Sequence, residues 1–216
     1  MTGSPRSGDP TLALRLPGIW VQLDPRQPAV TQRRIRTYAD LALGRADHLA
    51  AQRADLRRSL TAMLDAAGPA SALQVAFVCH EVSRGTPTPM VVSIFTPAEV
   101  RLAPVAGHEP DVVIEGFMAA MRVLEARPPW ERIECADGVA ARRWRIDEMP
   151  LAQESADTVL RSFVADYWRT VPHTSRLTLV TVTSPLADIP QTMLRFADAI
   201  VAGSRFVAPD RGDASP

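Results

Sequence analysis

The chain contains no lysine and no asparagine; all 24 of its basic residues are arginine. Both missing types have A/T-rich codons, so their joint absence reads as a GC-rich coding bias rather than a guanidinium-specific role. Only two cysteines occur, Cys79 and Cys135, which excludes a disulfide framework. Each lies in an apolar stretch, where a free thiol behaves as a small hydrophobe. No stretch approaches the length of about 18 apolar residues that a membrane helix needs. Residues Met1 to Pro10 are rich in Gly, Ser, Pro and Asp and lack a secretory apolar run, so the expected location is the cytoplasm. There is no net charge, with 24 basic residues against 24 acidic ones, so bulk attraction for nucleic acid or anionic lipid is absent. Missing too are a G-x-S-x-G elbow, a Walker loop, a G-x-G-x-x-G turn and an H-E-x-x-H helix, the motifs from which an enzyme class could be read.

What remains is ordinary globular material, 216 residues with 46% apolar content. That suits one domain able to bury roughly 70% of its unfolded surface. Residues 1–11 and 208–216 are polar, and they are expected to be disordered tails on a single domain over 12–207.

Within the domain, Gly18 to Leu23 reads as a strand closed by Asp24-Pro25. Ala29 to Leu43 has helical composition. Leu49, Leu56, Leu60, Met63, Leu64 and Ala67 recur at steps of three, four and seven, which marks a second helix ended by Gly68-Pro69. Ala72 to Cys79 and Met90 to Thr96 read as strands joined through residues 83–87. A third helix spans Pro110 to Ala126, with Ile114, Phe117, Met118, Met121 and Leu124 as its buried stripe, and Pro128-Pro129 beyond its end. Trp130 to Cys135 and Val139 to Ile146 flank Asp137-Gly138, the pair favoured in a tight hairpin turn.

Val159 to Val171 satisfies helical spacing as well as strand composition. The β-rich Arg176 to Thr183, reached through the compact turn Pro172 to Ser175, favours strand. A last helix is expected from Asp188 as cap, Pro190 in the first turn and Gln191 closing a capping box, with Ile189, Met193, Phe196 and Ile200 buried. The fold class is therefore α+β: a mainly antiparallel sheet of about six to seven strands packed with helices, without the βαβ alternation of a dinucleotide fold.

The segment Leu177 to Pro185 followed by a helix ending in Ser204-Arg205-Phe206, together with the opening Leu16-Pro17-Gly18-Ile19-Trp20, resembles small actinobacterial proteins of unknown function with a PsbP-like α/β/α sandwich. The likeness covers the two ends of the domain, about 60 residues. It implies a non-enzymatic accessory or binding role with no catalytic residues to carry over.

Several constellations invite chemistry. Cys79-His80-Glu81 looks like a nucleophile beside a base, but neighbours on a strand point to opposite faces. His108 with Glu109 and Asp111 offers cation ligands, although helix-start acids account for the two carboxylates. On the strand after Gly138, Ala140, Arg142, Trp144 and Ile146 face one way and Ala141, Arg143 and Arg145 the other. The second set is expected to be a solvated face. Arginines interleaved with aromatics can hold an anion by stacking and forked hydrogen bonds, so the candidate ligand-binding residues are Arg142, Trp144, Trp168 and Arg169. No metal and no cofactor is expected. The leading expectation is an accessory module that binds a protein partner, with no nucleic acid and no membrane span. A small-ligand receptor or enzyme built around an Arg-lined pocket is the alternative, and a homodimer through a sheet edge is a third option.

Overall fold

The computed structural model describes residues 10–66, 72–97, 100, 109–124, 130–150 and 159–208. Ten strands lie among these residues: β1 Thr11–Ala13, β2 Ile19–Leu23, β3 Leu73–Ser83, β4 Thr86–Pro87, β5 Val91–Phe95, β6 Glu131–Cys135, β7 Gly138–Pro150, β8 Val159–Thr170, β9 Leu177–Ser184 and β10 Arg205–Val207. Four α-helices lie among the described residues: α1 Pro28–Leu43, α2 Ala50–Ala66, α3 Pro110–Leu124 and α4 Pro190–Ala202.

Eight strands form the main sheet in the order β2-β3-β5-β9-β8-β7-β6, with β4 folded back on β3. Every pairing is antiparallel. The α+β class holds, with one strand more than expected because residues 83–87 form a short hairpin. The ambiguous stretch 159–171 is strand, as its β-rich successor suggested: Leu177 to Ser184 pairs with Phe163 to Thr170 along its whole length.

Period-two alternation sorts side chains between two layers. Odd residues of β8 (Phe163, Ala165, Tyr167) join Val180 and Val182 of β9 in one core cluster, capped by α4. A separate two-stranded ribbon, β1 paired with β10, closes over the same side. On the opposite face two smaller clusters lie apart. One gathers Ile35 and Tyr38 of α1 and Leu60 and Leu64 of α2 over Ala76 and Val78. The other packs Val113, Ile114, Phe117 and Met118 of α3 against Val139, Ala141 and Leu177. Helices thus cover both ends of this face and leave its middle open.

Local details depart from expectation in three places. Leu124 has the azimuth of the buried stripe, yet it is 77% exposed, whereas Met121 one turn earlier packs against the α3 cluster. The cap of α4 is Ile189, not Asp188, and no side chain caps it; as the cap, Ile189 leaves the buried stripe and is 48% exposed. Pro190 at the first position starts the helix instead, because it needs no amide partner there. Asp188 accepts a hydrogen bond from Arg161 of β8 at 2.8 Å, so a tertiary partner has replaced the local one. Thr11, assigned to the tail, is the first residue of β1 and is paired with Val207. Apart from Pro10, Thr11 and Ala208, the two tails lie outside the described residues.

The β2–α1 junction shows how a buried acid is held. The Asp24 side chain is buried. It accepts hydrogen bonds from the Arg26 backbone N–H (2.9 Å), Arg26 Nε (3.0 Å), Arg26 Nη2 (3.1 Å) and Gln27 Nε2 (3.3 Å). Burial disfavours its charged form, but these donors outweigh it and hold the carboxyl below its ordinary range. A depressed folded-state pKa contributes stability that is present above the unfolded value and lost as pH falls through the folded one. Urea midpoints measured from neutral pH down to about pH 3 should therefore fall less steeply for Asp24→Asn than for the natural chain. Equal slopes below about pH 4 would show that Asp24 contributes nothing to acid sensitivity.

Candidate functional site

The open middle of the sheet is a groove of about 470 Å³. Its floor is β5, β9 and the adjoining part of β8. Register sets the floor in cross-strand rows. Val91, Thr183, Val164 and Arg145 form one row; Ser93, Thr181, Asp166 and Arg143 form the next; Phe95, Leu179 and Trp168 form the third. Met63 of α2 lines one wall, Pro97 follows β5, and Arg145 lines the wall on the α3 side.

The polar row has a definite electrostatic arrangement. Asp166 is buried. Its Oδ1 accepts from the Thr181 hydroxyl at 2.9 Å and its Oδ2 from Arg145 Nη1 at 2.7 Å. Arg143 stands 3.9 Å from the same carboxylate and lies over the Trp130 ring at 4.4 Å, a favourable cation–π placement. Burial holds Arg145 down, but hydrogen bonds to Asp166 and Asp147 hold its pKa above the ordinary value. For Arg143 burial prevails, helped by the like charge of Arg145, and its pKa is lowered. The β7 arginine face is therefore not a solvated edge. β7 is an interior strand between β6 and β8, and its arginines converge on a buried acid.

The four candidate residues from the sequence are not brought together. Arg142, Trp144 and Arg169 lie on the α4 side, and Trp168 lies on the α3 side against Phe117 (centroids 5.3 Å). Arg142 donates to Asp198 of α4 and Glu131 of β6; burial lowers its pKa, but those carboxylates raise it overall. Tyr167 donates its hydroxyl to the same Asp198 at 2.8 Å. Burial and that neighbouring charge push the Tyr167 phenol far up, so it stays protonated. Arg169, 1% exposed, is enclosed by Asp137 and Ser204. Trp144 stacks on Phe163 at 6.1 Å. Together these contacts fasten α4 and β10 to the sheet.

The Cys79-His80-Glu81 triplet separates as alternation requires. Cys79 enters the α4-side core, and burial, then Glu81, pushes its thiol up to about 11. A thiol so protonated is a poor nucleophile. His108 lies outside the described residues, and Asp111 accepts a hydrogen bond from Arg132 at 3.3 Å.

Sequence reasoning missed Asp166, Thr181 and Thr183. Two signals were present: a lone acid inside the apolar run Phe163 to Tyr167, and hydroxyls at alternate positions 181 and 183 of β9. Both mark one sheet face as partly polar. Compared with protein-family models, with curated proteins and with solved structures, the chain matches none.

Proposed function

We propose that this chain is a non-enzymatic accessory module that binds a protein partner in the groove on its sheet. The observation that carries the reading is the groove floor over β5, β9 and β8, where Val91, Phe95 and Leu179 share the surface with Ser93, Thr181 and Thr183. A sheet face left open between helices, offering apolar contact together with a few hydrogen-bonding groups, is a form that protein-binding sites take. The PsbP-like resemblance at the two ends of the domain points to the same accessory role. We take the module to act in the cytoplasm, a reading supported by its two free thiols. No helix among the described residues is long and apolar enough to cross a membrane.

A second reading, a small-ligand receptor, is favoured by one observation: the groove volume falls within the range of about 300–1,000 Å³ seen for small-molecule sites, with Arg145 and Asp166 on its wall. Affinity capture from host extract separates the two. The natural chain should retain one protein at stoichiometric amount, and Thr183→Trp, folded but with its groove floor filled, should lose it. Retention of a small molecule in place of a protein, lost in the same variant, would transfer the function to the second reading. Equal retention by both chains would remove the groove from either.

A further inference from the structure

On the α1–α3 side the helical layer is incomplete. α1 and α2 cover β2 and β3 and touch Val91 and Phe95 at the β5 margin of the groove, and α3 covers β7, Trp168 of β8 and Leu177 at the start of β9. Between them β5, β9 and β8 span two inter-strand spacings, about 10 Å, which is the diameter of one α-helix with its side chains. Along the strands, the three floor rows extend about 13 Å, the rise of roughly nine helical residues.

The floor is shaped for close approach. Ser93 and Thr181 make its middle row and Thr183 adjoins them on β9, all short, with the larger Phe95 and Leu179 in the row beyond Ser93 and Met63 on the wall. Arg145 donates through Nε to Asp147 and through Nη1 to Asp166. Among the described residues its other terminal nitrogen has no acceptor. An occupant that brought a carboxylate to this wall would meet an available, partly preorganised donor.

From this geometry we infer that the groove takes an amphipathic α-helix of the partner, apolar toward the floor and carrying one carboxylate toward Arg145, which completes the helical layer. The inference rests on the groove reading of the previous subsection and deepens it. An extended segment is a poorer occupant. Lying on a sheet face rather than along an edge, it would bury amide and carbonyl groups against Val91, Phe95 and Leu179, with no ladder to satisfy them. A helix satisfies its own backbone and presents only side chains.

Two display libraries of about five helical turns in length test this on the immobilised full chain. One randomises a single face of a stable helical scaffold, and the other randomises linear peptides of equal length. The helical library should yield binders that weaken at least about tenfold toward Ser93→Trp and toward Met63→Arg, the latter changing only a wall residue of α2. Those binders should share an acidic residue, and converting it to its amide should cost about tenfold in affinity. Groove-dependent binders from the linear library alone would overturn the helix and leave the groove reading standing. Helical binders indifferent to their acid would overturn the part played by Arg145. Failure of both libraries to give groove-dependent binders would overturn the inference and the groove reading together.

Discussion

Asp137→Ala is expected to lower the unfolding free energy by about 3–5 kcal/mol, a large share of the total for a domain of this size. Asp137 occupies the turn between β6 and β7. Its carboxylate accepts from the Arg169 guanidinium and from the Phe206 backbone N–H, the latter at 2.6 Å. Arg169 is enclosed, with its guanidinium 5.2 Å from the Phe206 ring centroid. Without the carboxylate, a buried cation keeps, among the described residues, the neutral oxygens of Ser204 as acceptors. Truncating one partner of such a pair is costly because the other charge stays buried, not because the pair itself was strongly favourable. Adding Arg169→Met to Asp137→Ala should therefore restore part of the loss. Urea titrations of the three chains measure this. A single-variant loss below about 1 kcal/mol would show that Arg169 gains water when its partner goes.

Gly18→Ala is expected to cost more than about 3 kcal/mol, for a reason unrelated to charge. Gly18 enters β2 at φ +86°, in the left-handed region. A Cβ added there would lie 2.0 Å from the Glu81 carbonyl oxygen and 2.7 Å from Val82 backbone atoms. These are main-chain atoms of the neighbouring strand, so no side-chain rotation can relieve the clash. Either β2 leaves β3 or the bulge between Ile19 and Trp20 is remade. Gly85 is the control: its φ is +76°, but nothing lies within 4 Å of an added Cβ. Gly85→Ala should cost only the left-handed penalty of about 1–2 kcal/mol. Similar urea midpoints for the two variants would show that β2 shifts freely and that the close approach is not limiting.

The parts of the fold that sequence conveyed are those written in local chemistry. Asp137-Gly138 announced its turn because few residue pairs tolerate that backbone, and the stripes of α2 and α4 announced their buried faces through spacing. Strand order was not conveyed. The β5–β9 pair joins Val91 to Thr183, and no local signal records a partner so distant in the chain. The site suffered from the same gap. Alternation along β7 separated Arg142 from Arg143 and Arg145 correctly, but it could not say which set meets a buried carboxylate. That depends on the register bringing Asp166 opposite Arg143 and Thr181 opposite Asp166. Aromatic neighbours drew attention to Arg142 and Arg169, whereas the groove belongs to Arg145, whose partners are Asp147 two residues along β7 and Asp166 on β8.

The ribbon of β1 and β10 has a practical corollary. Thr11 and Val207 are register partners, so the first and last strands among the described residues pair with each other. That seam is fastened to the α4 side, while the groove opens on the other. A handle, reporter or fused domain joined at either strand would therefore be attached on the face of the sheet opposite the groove.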